Sequence, residues 1–133
     1  MLADNRERMS IYALDRMLSA SLTEEHFERP ADFSPGAYFA EYFGVITDGT
    51  PMERVVVRAY GKMASLLRTL PLHATQRELR AGDGYTDFAI DIRPTVDFVS
   101  ELMSKIDGLD VLEPASLKAR VRAILEAAME RNP

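Results

Sequence analysis

Segment 85–93 constrains the fold more than any other, because its apolar and polar residues alternate one by one. Phe88, Ile90 and Ile92 occupy every second position, and between and around them stand Asp87, Ala89, Asp91 and Arg93. Successive side chains of a β-strand point to opposite faces of its sheet. The segment therefore predicts a strand with one packed face and one face that meets solvent or a ligand.

The residues around this strand continue a regular pattern of strands and helices. Valine enrichment, apolar residues at helical spacing, and turn residues such as Gly82 and Gly84 separate the elements. In order, the pattern predicts strand 53–60, helix 62–70, strands 73–79 and 85–93, a helix from Pro94-Thr95 to Gly108, strand 109–112 and a helix after Pro114. We therefore expect an α+β fold, a ferredoxin-like βαββαβ unit with an added C-terminal helix.

The N-terminal third has a different character. Weak apolar alternation in 10–17 predicts a strand, and the preceding residues can supply only one hairpin partner. Ser34 and Pro35 are typical of a helix start, and Gly44 of a helix end. We therefore expect a terminal hairpin in 1–17, a linker with a short helix in 18–51 and the α+β domain in 52–133.

Composition narrows the class of protein. With 47% hydrophobic and 28% charged residues among 133, the chain has globular composition. Its apolar runs are far shorter than the ~20 residues that a bilayer requires, and its N-terminus is not a secretory signal. There is no cysteine, which excludes disulfides, thiolate nucleophiles and Cys-based zinc sites. We expect a cytoplasmic protein that does not enter membranes.

The sequence offers little for catalysis. His26 and His73 lack the spacing of a metal pair. Asp87 and Asp91 share one face of their strand but lie roughly 13 Å apart, too far for the paired carboxylates of glycoside hydrolysis. Glycine-rich Ala81-Gly82-Asp83-Gly84 precedes a strand, whereas a phosphate loop precedes a helix. We expect no enzyme, no cofactor and no metal site.

Charge is distributed unevenly along the chain. The formal net charge is −5, which argues against non-specific coating of nucleic acid. Between residues 53 and 80, however, only Glu53 and Glu78 oppose six basic residues, namely Arg54, Arg58, Lys62, Arg68, Arg77 and Arg80. This basic zone is either an ordinary solvated surface or a local anion site. At the end of the predicted first strand, Arg16 could bind phosphate or carboxylate, or pair with Asp15 or Glu24.

Several short motifs, in order, carry a family resemblance. Ile11-Tyr12-Ala13-Leu14-Asp15-Arg16-Met17 resembles the last barrel strand of the WYL domain of bacterial helix-turn-helix transcriptional regulators. Later motifs resemble the linker and C-terminal extension, called WCX, of those regulators: Phe27-Glu28-Arg29-Pro30, Tyr38-Phe39 to Phe43-Gly44-Val45, Leu70-Pro71-Leu72-His73-Ala74-Thr75-Gln76, Phe88-Ala89-Ile90-Asp91-Ile92-Arg93-Pro94-Thr95 and Val111-Leu112-Glu113-Pro114. The resemblance identifies the hairpin as the end of a truncated WYL barrel and 52–133 as a WCX-like domain.

The resemblance implies an effector-sensing and oligomerisation region that forms a homo-oligomer. Its implied ligand is a single-stranded nucleic acid, a nucleotide or another anionic effector, and DNA would be read only through a helix-turn-helix domain missing from this sequence. Arg16 matches the family's basic residue after the strand, and Tyr12 its aromatic position. Ser10 stands where the family often has a basic residue, with Arg8 the nearest substitute. The ligand-binding candidates are Arg16, Arg8, Arg58 and Arg68.

A second hypothesis stays open at this point. The chain could be a stand-alone ferredoxin-like module that binds a small molecule and dimerises across its sheet. Such a module would begin at Met1 with a hairpin complete in itself.

Overall fold

The computed structural model describes residues 11–133, and residues 1–10, with Arg8, lie outside the described part. The chain divides into two compact units, Met1–Ser34 and Pro35–Pro133. In the first unit, a 3₁₀ turn at Leu14–Arg16 replaces the predicted strand. Its amides bond locally, Arg16 N to Ala13 O and Met17 N to Leu14 O at 3.2 Å each, so they are not paired in a ladder as a strand requires. The strand prediction is therefore wrong over 11–17, and the other half of the hairpin is outside the described residues.

The second unit begins with a helix that is shorter than its predicted start and end residues indicated. α1 is Pro35–Phe39, and it ends before Gly44 because Tyr42 N bonds back to Phe39 O at 3.0 Å. From there the chain turns toward the sheet, and the Phe43 ring meets Phe98 edge-on at 5.7 Å. Phe43 of the predicted linker therefore packs against the helical layer of the domain.

Four strands and three further helices follow. They are β1 Glu53–Tyr60, α2 Gly61–Thr69, β2 Arg77–Gly82, β3 Tyr85–Ile92, α3 Val96–Met103, β4 Leu109–Glu113 and α4 Ala115–Arg131. The strands form one sheet in the order β2-β3-β1-β4, and every neighbouring pair is antiparallel. The predicted α+β class is confirmed.

One face of the sheet holds the core. Alternate residues of β1, β3 and β4 pack with apolar residues of α2, α3 and α4, and Phe88 and Phe98 are the largest fully buried side chains. The buried cluster comprises Val55, Val57, Ala59, Ala64, Leu67, Leu72, Phe88, Ile90, Ile92, Phe98, Val99, Leu102, Leu109, Val111, Leu117 and Val121. Burying these side chains is the main favourable contribution to folding.

β2 begins later than predicted. Residues 73–76 form a turn in which Gln76 N bonds His73 O at 3.0 Å. Within it, the Gln76 side chain accepts from Leu72 N at 2.8 Å and donates to Leu67 O at 2.7 Å. These bonds tie the turn to the end of α2, so the ladder starts only at Arg77. At its other end β2 runs to Gly82, because the hairpin turn needs only two residues and Gly84 adopts a positive φ of 76°.

The linker is fixed to the end of β3. Arg93 N donates to Glu41 O at 2.9 Å, and its guanidinium donates to the Glu41 carboxylate at 2.8 Å and to Thr50 O at 2.8 Å. Nearby, Gly44 lies so close to Asp97 that an added Cβ would stand 2.1 Å from Oδ2. Residues 41–50 are thus part of the α+β unit, although the pattern of apolar residues placed them in a linker.

Candidate functional site

The face of the sheet away from the core carries most of its charge. On β1 and β3 it presents every second residue, and none of its residues belongs to the core cluster. We call it the arginine face, and its members are Arg54, Val56, Arg58, Tyr60, Arg77, Arg80, Tyr85, Asp87, Ala89, Asp91 and Asp110. It is the ligand or solvent face that the alternation in β3 predicted.

A β-bulge places two arginines of β2 on this face together. Arg77 and Arg80 are three residues apart, so in a regular strand they would point to opposite sides of the sheet. The register of β2 against β3 shifts between Glu78 and Arg80. Because a bulge adds one residue to one strand only, Arg77 pairs with Ala89 and Arg80 with Asp87, both on the arginine face.

Asp87 is the centre of this face. Only 2% of the residue is exposed, and its carboxylate accepts from two arginines. Arg58 donates through Nε to Oδ1 at 2.7 Å and through Nη2 to Oδ2 at 3.0 Å, and Arg80 donates through Nε to Oδ2 at 2.6 Å. A buried carboxylate is tolerated when it is paired and hydrogen-bonded in this way.

The pairing changes the acid–base properties of Asp87. Hydrogen bonds from Arg58 and, to a smaller extent, from Arg80 lower the pKa of the carboxyl below its ordinary value of 3.8, against the opposing effect of burial. The same bond raises the pKa of Arg58. Asp87 and Arg58 therefore remain charged at neutral pH.

Aromatic rings flank the arginine pair. The Arg58 guanidinium carbon lies 4.0 Å from the centroid of the Tyr85 ring, a cation–π arrangement. Tyr60 stands opposite Tyr85 in the ladder, and its hydroxyl donates to Asp110 at 2.8 Å. The bond to Asp110 raises the pKa of Tyr60.

A second ion pair lies along the same face. Arg77 Nη1 donates to Asp91 Oδ2 at 2.6 Å, and these side chains are 46% and 43% exposed. The Thr75 hydroxyl donates to Asp91 O at 2.8 Å and accepts from Asp91 N at 3.1 Å. The Arg77–Asp91 ion pair thus lies at the end of the arginine face that is next to the turn before β2.

The structure does not bring the four predicted ligand residues together. Arg58 lies on the arginine face, whereas Arg68 lies in α2 and bonds Glu78 at 2.9 and 3.1 Å and Thr86 at 2.8 Å on the opposite side of the sheet. Arg16 is exposed in the 3₁₀ turn of the first unit. Arg8 is outside the described residues.

Sequence reasoning missed Asp87 as a part of this site, and it named Arg80 in the basic zone without choosing it as a ligand residue. The basic zone was counted only to residue 80, but its neutralising carboxylates come from β3. The signal was present, since Asp87 and Asp91 had already been placed on the polar face of that strand. Register was the missing information, because it alone decides which arginine meets which aspartate.

Residues 11–133 contain neither a cluster of metal-ligand side chains nor a membrane-spanning helix. No group of three or more histidine, aspartate or glutamate residues there could hold a metal ion. No helix within the same range is long and apolar enough to span a bilayer.

Fold and site together define a small α+β domain that packs helices on one sheet face and displays paired arginines on the other. The profile of the WCX domain family matches residues 51–129. Because that match covers more than half of the chain, the chain belongs to the WCX domain family. No curated protein sequence is significantly similar to it.

Removing the Asp87 carboxylate should destabilise the domain. In Asp87→Ala, two guanidinium groups lose their shared partner, and we expect the free energy of unfolding to fall by about 2 kcal/mol, measured by urea denaturation. Asp91→Ala is the matched control, because it removes a carboxylate from the same face of the same strand at a more exposed position. Equal losses in the two variants would contradict a special role for Asp87.

The free energy of unfolding should also fall in acid, and part of that fall should come from protonation of Asp87. Its pKa is lowered in the folded state, so the stabilisation is present above the unfolded value of 3.8 and is lost as pH falls through the folded pKa. We expect the urea midpoint to be flat from pH 7 to about 5 and to drop below about pH 4. The urea midpoint of Asp87→Asn should fall less steeply below about pH 4 than that of the unchanged protein. If the two proteins lost stability identically in acid, the loss could not be assigned to Asp87.

Proposed function

We propose that this chain is the effector-sensing and oligomerisation region of a WYL-type transcriptional regulator. The observation that carries the proposal is the WCX match over 51–129, because this domain is associated with WYL-domain regulators. Residues 11–17 resemble the last WYL strand in sequence, although Leu14–Arg16 form a 3₁₀ turn in the structure. In this proposal the region acts in the cytoplasm, and DNA is read by a helix-turn-helix domain outside this sequence.

We further infer that the α+β domain has ferredoxin-like order. Supporting this inference, β1 and β2 are joined through α2 and flank β3, and β3 and β4 are joined through α3 and flank β1. Two interleaved βαβ units of this kind are the basis of that fold.

The proposed effector is anionic. Arginine donors in a fixed planar arrangement suit phosphate and carboxylate, and Arg58 and Arg80 are held on Asp87 with part of each side chain exposed. In the first unit Arg16 is exposed as well, on a segment that resembles the WYL strand. Single-stranded nucleic acid or a nucleotide fits Arg16 in charge, and a nucleotide fits Arg58 and Arg80.

Self-association is the first test. The proposal predicts a homo-oligomer, so size-exclusion chromatography with light scattering should give a mass that rises with concentration to at least twice 14.9 kDa. A chain that stayed strictly monomeric at high concentration would count against the assembly role. It would leave the ligand test below unaffected.

Arg16 provides the second test. A labelled single-stranded oligonucleotide should bind with an affinity that falls with salt, and each lost phosphate contact should reduce the log–log slope by about 0.7. We expect that reduction in Arg16→Gln, measured by fluorescence anisotropy. Arg29→Gln is the control, because Arg29 is an exposed arginine of the same unit that donates to Phe33 O at 3.3 Å. Equal slopes in all three proteins would remove Arg16 from the ligand site.

A further inference from the structure

We propose that the arginine face around Asp87 is a binding site for a nucleoside monophosphate, with the phosphate at Arg58 and Arg80 and the base against Tyr60. The proposal rests on the proposed function in assuming an anionic ligand, but it places that ligand on the α+β domain and apart from Arg16. It commits to one mononucleotide and not to a nucleic-acid strand.

The donors for the phosphate are already oriented. Arg58 uses Nε and Nη2 on Asp87, and Arg80 uses Nε. The two Nη atoms of Arg80 make no bond to Asp87, and the Arg80 side chain is 64% exposed. Because Asp87 holds both guanidinium groups before any ligand arrives, binding loses less side-chain entropy.

Local charge favours one phosphate. On β1, β2 and β3 the arginine face carries Arg54, Arg58, Arg77 and Arg80 against Asp87 and Asp91, a balance of four positive charges against two negative. On the β4 side, Asp110 pairs with Arg58 in the ladder and Glu113 with Val56, which makes that edge acidic. A surplus of two charges beside an acidic edge suits one phosphate monoester, which carries about two negative charges at neutral pH, whereas a polyanionic strand would meet repulsion at that edge.

The aromatic rings indicate a planar group on the ligand. Tyr85 is already covered, since Arg58 lies over its ring and the same ring fills the space beside Gly82, where an added Cβ would be 2.3 Å from Cε1. Tyr60 is 43% exposed, and the bond to Asp110 fixes its hydroxyl. An exposed ring next to arginine donors is the combination on which nucleobases stack.

Binding can be measured on the whole chain. Isothermal titration calorimetry with AMP, ribose 5-phosphate and adenosine separates the phosphate from the ring, and amide chemical shifts locate the site. We expect AMP to bind at least about tenfold more tightly than either fragment, because the phosphate contact and the ring contact should each be worth about a tenfold change in affinity. The amide chemical shifts should change in β1, β2 and β3. Arg80→Gln should weaken AMP about tenfold, and Tyr60→Leu should reduce AMP affinity to that of ribose 5-phosphate.

Arg122→Gln is the matched control. It removes an arginine that is 79% exposed and pairs with Glu126 on α4, so AMP affinity should not change. No AMP binding, equal affinity for AMP and ribose 5-phosphate, or equal effects of Arg80→Gln and Arg122→Gln would each overturn the proposal. So would an oligonucleotide that bound more tightly than AMP and depended on Arg80. None of these results bears on self-association or on Arg16.

Discussion

The arrangement of the arginine face depends on one buried carboxylate. Asp87 is charged, almost inaccessible and located in a strand between two others, a position that is costly unless opposite charges are in place. Arg58 comes from β1 and Arg80 from β2, so this one interaction joins three adjacent strands on the side of the sheet that no core cluster covers. Apolar burial stabilises the other side, and the two faces are thus held by different forces.

Strand β3 also connects this pair to the linker. Its alternate residues carry Asp87, then Asp91 with Arg77, and the following position Arg93 binds Glu41 and Thr50. These contacts lie along one face of β3 and at Arg93, the residue that follows its end. Any ligand that alters the arginine pair therefore acts on the strand to which the linker is fixed, and this is the physical connection that an effector response in the proposed regulator would require.

The sequence predicted much of the fold because its strongest signals are local. Alternation in β3, the valines of β1 and the helical spacing in α4 depend only on near neighbours, and the corresponding elements are present. The strand predicted at 10–17 is wrong over 11–17, because its apolar spacing is weak and the backbone at Leu14–Arg16 bonds locally in a 3₁₀ turn. Within the candidate site, Arg58 was found by residue type, but its partner Asp87 depends on strand register, and Arg80 depends on a bulge that no local pattern reveals.

The bulge in β2 has a consequence for solubility. β2 is an edge strand whose six residues are all exposed, and an exposed regular edge is a template on which further chains can add strands. The register shift interrupts its row of backbone donors and acceptors, and its two arginines would bring like charges together if two such edges met. The addition of further strands at this edge is therefore disfavoured. The sheet ends at β2, and its arginine face remains accessible.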